Sequence, residues 1–369
     1  MLVLQLYSCT TIKMLSDQVV TTKSGCLAFQ NNASAIILPI QIDNQKSDFL
    51  FDTGATISCL IDSTVIENFS NKKFGTLASA KGADRKKVKV KFMTAAMHSS
   101  LFDSENKVLS YIEMPKSNCN KSKKSYSGII GLDPFFENDM SLLLDFSNGK
   151  VCNLSKAGME NLLKEDQFQT IKSECKNNQV FVFLTIDGKV FKFKLDTGFS
   201  GNIIIPFSDN LDFSKYNTMT LEGSYYQTIN ASTKGLENFH ENVPVQIGAS
   251  NVMTKVCVSN TIKAQNIGMT LIRCYDWLID YNHNKVYIKP NANKIESTFN
   301  RRISYLAMAT DKLRIVTKEK FQTKYNLGDE ITTVNGQKVT TANNCELQDF
   351  LNKTDDWSTL QLTIIPGSP

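Results

Sequence analysis

At 369 residues and 41.3 kDa the chain has room for two or three domains. Its composition, 41% hydrophobic and 21% charged, is that of a globular protein, and no stretch approaches the roughly 20 apolar residues of a membrane-spanning helix. The net charge of +5 is a mild excess whose small clusters, at residues 85–91 and 121–124, carry few interleaved aromatics. They read as solvated surface, and no nucleic-acid partner is expected. The nine cysteines form no C-x-x-C pair, and His98, His240 and His283 lie far apart. Neither zinc nor haem spacing exists, so no metal or cofactor is expected. An odd cysteine count defines no disulfide framework and leaves the compartment open.

In chain order, residues 1–29 form an N-terminal segment. Its apolar start, followed by Ser8-Cys9, is similar to the end of a bacterial lipoprotein leader, although it is short and lacks a basic flank. A frayed terminus fits equally, and a bacterial cell envelope is favoured over the cytoplasm on this feature.

Next comes a pattern that occurs twice. The first copy runs from Ile36 to Ile42, turns through polar residues, and continues Phe49-Leu50-Phe51-Asp52-Thr53-Gly54. The second runs from Val180 to Ile186, turns at Asp187-Gly188, and continues Phe193-Lys194-Leu195-Asp196-Thr197-Gly198. The isoleucine-to-aspartate step is ten in both, 42 to 52 and 186 to 196. β-Branched and aromatic residues fill the flanks, so each copy is expected to be a β-hairpin. Downstream, each copy has a hydrophobic-Gly element, Ile129-Ile130-Gly131 and Asn266-Ile267-Gly268. A closing hairpin follows, with an aspartate-to-lysine step of five in both, 145 to 150 and 280 to 285. Boundaries of 30–153 and 178–290 enclose the copies, and 154–177 reads as a connector containing a short amphipathic helix.

An aspartate at the end of an apolar strand is costly to bury alone. Two that face each other can share one proton and so supply a base and an acid in one site. The glycine lets the backbone turn tightly and approach closely, and the threonine can lock the loop by hydrogen bonding. This pattern resembles the aspartic peptidases, the pepsin-like and retropepsin-like enzymes. In particular it is similar to bacterial aspartyl proteases that carry a PDZ-like domain, whose second motif the run from Ile130 to Phe136 resembles. The resemblance implies a mainly β protein with two retropepsin-like barrel lobes, active as a single chain on protein or peptide substrates. It implies Asp52 and Asp196 as the catalytic dyad and Thr53 and Thr197 as braces between the loops. Gly54 and Gly198 would form the turns, and Gly131 and Gly268 would pack beneath them. An inactive peptide-binding scaffold of the same fold is the alternative.

Pepsin-like enzymes often carry a hydroxyl three residues after the aspartate; here Ala55 and Phe199 stand there. A mildly acidic to near-neutral optimum is therefore expected, with Ala55→Ser moving the acidic limb to lower pH. Residues 74–90 and 221–235 are the flap candidates. Residues 297–369 change pattern: from Leu327 to Val339 a Gly-Asp turn, a strand, an Asn-Gly turn and a second strand resemble the core of a PDZ domain. A helix at 345–352 and a last strand at 359–365 are expected to follow. A PDZ domain takes extended peptides as an added strand, so a peptide ligand is one expectation for this tail. The usual glycine-containing carboxylate loop is not evident around residues 304–312, and a structural cap is the other.

Overall fold

The computed structural model describes residues 17–29, 34–67, 69, 74–112, 119, 126–136, 139–208, 211–228, 231–299 and 303–367. The apolar start with Ser8-Cys9 lies outside them. Strands make up 49% of the structure and helices 10%, which makes the fold mainly β.

The first copy closes into a six-stranded barrel. Its hairpin, Ile37–Ile42 with Gln45–Phe51, pairs Ile37 with Leu50 and Ile42 with Gln45. Gln45–Phe51 then runs parallel to Gly128–Ile130. That short strand lies antiparallel to Cys59–Leu60, which runs parallel to Phe102–Tyr111. Lys87–His98 closes the ring between Phe102–Tyr111 and Ile37–Ile42. Alternation drives the closure: Ile36, Leu38, Ile40 and Ile42 all point inward and are buried.

The second copy repeats the same ring with the same strand senses. Gln179–Ile186 and Lys189–Leu195 form the hairpin, followed round the ring by Asn266–Ile267, Ile203–Pro206, Ser250–Ser259 and Gly235–Ile247. Val180, Val182, Leu184 and Ile186 alternate into its core. The Asp187-Gly188 turn has φ of +50° and +76°, as a two-residue hairpin with right-handed strand twist requires.

The two closing hairpins meet. Ser141–Asp145 pairs with Tyr275–Asp280, Leu143 opposite Leu278, at the centre of a six-stranded sheet that bridges the barrels. Gly25–Ala28 forms one edge of this sheet and Gln169–Ile171 the other. Part of the N-terminal segment is thus built into the fold, held at Cys152 by a disulfide from Cys26. In the connector, Lys156–Glu165 is helical, capped by the Ser155 hydroxyl accepting from the Gly158 N–H at 3.3 Å.

The tail has its own core around Trp357, Tyr305, Tyr325, Leu347 and Leu351. Its Asn335-Gly336 turn has φ of +50° and +80°, its helix spans Asn344–Lys353, and its last strand is Leu362–Ile365. Leu313–Glu319 pairs edge to edge with Thr218–Gly223, so the tail sheet continues that of the second barrel. A second disulfide, Cys119 to Cys345, ties the tail helix to the chain of the first copy.

Candidate active site

Each aspartate sits where a hairpin strand ends beside a parallel strand. The Asp52 N–H donates to the Ile130 carbonyl at 2.9 Å, and the Asp196 N–H donates to the Ile267 carbonyl at 3.0 Å. The chain then turns back, with the Ala55 N–H on the Asp52 carbonyl at 3.1 Å and the Phe199 N–H on the Asp196 carbonyl at 3.2 Å. The hydrophobic-Gly elements therefore place the aspartates, which explains why each copy needs one.

The threonines lock the two loops together reciprocally. Thr53 Oγ1 donates to the Leu195 carbonyl at 2.7 Å and accepts from the Thr197 N–H at 3.1 Å. Thr197 Oγ1 donates to the Phe51 carbonyl at 2.7 Å and accepts from the Thr53 N–H at 3.0 Å. Both threonines are fully buried. Each hydroxyl thus satisfies two main-chain groups of the opposite copy, and no water is needed there.

The glycines stand where no side chain fits. A Cβ on Gly54 would lie 2.5 Å from Asp196 Cγ, and one on Gly198 would lie 2.4 Å from Asp52 Cγ. A Cβ on Gly131 would lie 2.6 Å from the Ala55 carbonyl oxygen, and one on Gly268 would lie 2.4 Å from the Phe199 carbonyl oxygen. All eight residues singled out in the sequence, Asp52, Thr53, Gly54, Gly131, Asp196, Thr197, Gly198 and Gly268, therefore gather at one place, where the two barrels meet.

Each carboxyl packs against the glycine of the opposite loop, which brings the two side by side. Asp52 Oδ1 accepts from the Gly54 N–H at 2.7 Å. Burial, then the charge of Asp196, push Asp52 up to about 7, against the lowering effects of Lys194 and the Gly54 N–H. Burial and the neighbouring like charge thus keep a proton on Asp52 well above the ordinary carboxylate range. The arrangement can accept a proton at one carboxyl and deliver one from the other. Among the described residues no His/Cys/Asp/Glu cluster is arranged to hold a metal ion.

Three further features surround the site, of which the first carried no sequence signal. Lys107 and Asp133 form a buried ion pair behind the Asp52 loop, where Ser58 Oγ donates to Asp133 Oδ1 at 2.7 Å. Lys194 Nζ and the Asn266 amide approach Asp196. The hairpin Phe74–Lys81 with Lys87–His98, the first flap candidate, reaches across to the second barrel: the Ala83 carbonyl accepts from the Lys263 N–H at 3.0 Å. Ala83 packs there with Phe199 and Tyr226 against Ile204, Cys257 and Ile262. Beside Phe199 opens a cavity of about 270 Å³, lined also by Met219, Tyr225, Tyr226 and Phe239. The second flap candidate supplies these tyrosines.

No protein-family model matches the chain, and a search of the curated proteins finds no match.

Proposed function

We propose that this chain is an aspartic endopeptidase of pepsin-like bilobal build, its two lobes retropepsin-like, with Asp52 and Asp196 activating one water between them. The observation that carries this reading is the pair of carboxyls set side by side on two Thr-interlocked loops. The water attacks the peptide carbonyl as one carboxylate takes its proton. The other carboxyl protonates the carbonyl oxygen, and the tetrahedral species collapses with loss of the amine. The crossing hairpin above the site supports a role in enclosing an extended substrate, and the aromatic cavity supports acceptance of an apolar side chain.

The tail reads as a PDZ-like module acting as a structural cap. The N–H groups of Ala307 and Ala309, on the edge facing the helix, are already bonded to Asn352 Oδ1 at 2.8 Å and Gln348 Oε1 at 2.6 Å. An added peptide strand would have to displace them. Two disulfides support an oxidising compartment such as a cell envelope.

The test is cleavage of an unfolded protein by the purified chain. Turnover that survives chelators and thiol- or serine-directed reagents, and that disappears in Asp52→Asn, is the expected result. Binding of the unfolded protein without cleavage, over the whole range from pH 3 to 8, would replace the enzyme with an inactive scaffold.

A further inference from the structure

The repeat breaks at two matched positions under the carboxyls. Two residues before the aspartate, the first copy has Leu50 and the second Lys194. Two residues before the glycine of the hydrophobic-Gly element, the first copy has Ile129 and the second Asn266. These are register partners in the two parallel ladders: Leu50 beside Ile129, Lys194 beside Asn266. An apolar pair thus underlies Asp52, and a polar pair underlies Asp196.

The polar pair is aimed at one oxygen. Asn266 Nδ2 donates to Asp196 Oδ2 at 2.5 Å, and Lys194 Nζ lies 3.7 Å from the same oxygen. Lys194 Nζ also donates to the Gly54 carbonyl of the opposite loop at 3.1 Å, which holds the cation over the interface. Asn266 is 2% exposed and its Oδ1 has no hydrogen-bond partner. The amide N–H is thus spent on the carboxylate inside the core. Among the described residues, Asp52 accepts only from the Gly54 N–H.

Resting on the peptidase reading, we propose that Lys194 and Asn266 are positioning residues that hold the dyad's negative charge on Asp196 and leave its proton on Asp52. Asp196 is then the base. It takes a proton from the water as the water oxygen bonds to the peptide carbon. Asp52 gives its proton to the carbonyl oxygen, which receives the π electrons. In the collapse the C–N bond breaks, the leaving nitrogen takes the proton from Asp196, and a hydroxyl of the tetrahedral species returns one to Asp52. The resting state is restored with no other reactant.

The neighbouring groups do not compete for this assignment. Cys59 and Tyr126 face Asp52, but burial pushes the Cys59 thiol up to about 12 and raises the Tyr126 phenol, so both stay neutral in the working range. Asp133 is paired with Lys107, and Lys192, next along the Lys194 strand, is paired with Glu174.

Two readouts test the proposal: the pH profile of kcat/KM, and the titration of aspartate carboxyl carbons by NMR in the full chain labelled with carbon-13. Lys194→Met should raise both limbs by about one pH unit, because the cation acts on both carboxyls. Asn266→Leu, which removes the donor at Asp196 Oδ2, should also shift the profile toward higher pH, by less than Lys194→Met. Lys194→Arg should keep the wild-type profile within about 0.3 unit, since charge is retained. Profiles of Lys194→Met and Asn266→Leu that superimpose on wild type, in either readout, would overturn the assignment. A wild-type chain that cleaves nothing but shows the expected carboxyl shifts would sink the peptidase reading and leave the charge placement standing. Should Lys194→Met fail to fold, the Asn266→Leu and Lys194→Arg pair decides alone.

Discussion

Seen from the front, the two Asp-Thr-Gly loops are mirror partners; seen from behind, they are braced by opposite chemistries. Six residues after its aspartate, the first loop has Ser58, whose hydroxyl donates to Asp133 and accepts from the Gly131 N–H at 3.1 Å. Asp133 in turn is ion-paired with Lys107, which is 2% exposed. Six residues after its own aspartate, the second loop has Asn202. Its carbonyl accepts from the Gly268 N–H at 2.7 Å, and its amide donates to Thr254 Oγ1 and the Glu296 carbonyl, each at 2.8 Å. The front is matched because each loop is the other's hydrogen-bond partner and neither can change alone. The back faces only its own barrel, so any group that satisfies the loop serves.

That contrast sets the scale of what substitutions should do. The largest effects belong to the shared front. Asp52→Asn and Asp196→Asn should each lower kcat by at least roughly a thousandfold while the fold persists, and the double variant should be no worse than either single one. Activity retained by one of the two would show that the carboxyls do not act as a unit.

Next come the glycines. Gly54→Ala and Gly198→Ala each place a methyl inside contact distance of the opposite carboxyl carbon. Displacing a reacting group by about 1 Å costs on the order of a hundredfold in turnover. Both variants should lose activity to that extent and by the same factor. Unequal losses would break the mirror relation between the loops.

Behind the loops the outcome should be unequal. Lys107→Met strands a buried carboxylate, which costs about 3–5 kcal/mol. Asn202→Ala removes neutral hydrogen bonds and costs about 1–3 kcal/mol. Urea unfolding of the two variants measures the difference directly, and equal costs would mean that the ion pair is screened by solvent.

How much of this was legible in the sequence follows the same division. The front was readable because reciprocal contact forces repetition: Asp52, Thr53 and Gly54 recur as Asp196, Thr197 and Gly198, and the alternation of Val180, Val182, Leu184 and Ile186 announces its hairpin. The back was not, because Lys107 and Asp133 are far apart in sequence and buried charge has no periodic signature. Nor did the motifs show that Gly25–Ala28 joins the bridging sheet, since a short edge strand satisfies its backbone without an amphipathic run. Lys194 and Asn266 were in plain view, quoted within the repeat; they become informative only once the ladder sets each beside the other.

The smallest expected effect is at Ala55. In the sequence alone, a hydroxyl there should lower the acidic limb of the pH profile. The structure moves that expectation to the other limb. Position 55 belongs to the turn of Asp52, and Asp52 is the carboxyl pushed up to about 7. It therefore loses its proton on the alkaline side of the bell. A serine hydroxyl folded back onto Asp52 donates to the charged form and lowers that value. Among the described residues, neither the Thr56 nor the Ser200 hydroxyl donates to the dyad, whose hydrogen-bond donors are the Gly54 N–H and the Asn266 amide. Ala55→Ser should thus bring the alkaline limb down by half a unit to about one unit, leave the acidic limb in place, and narrow the profile. Phe199→Ser, at the matched position, acts beside Asp196 and should leave the alkaline limb in place. If both serines move the same limb, the two carboxyls do not hold distinct protonation states, and the functional difference between the copies disappears.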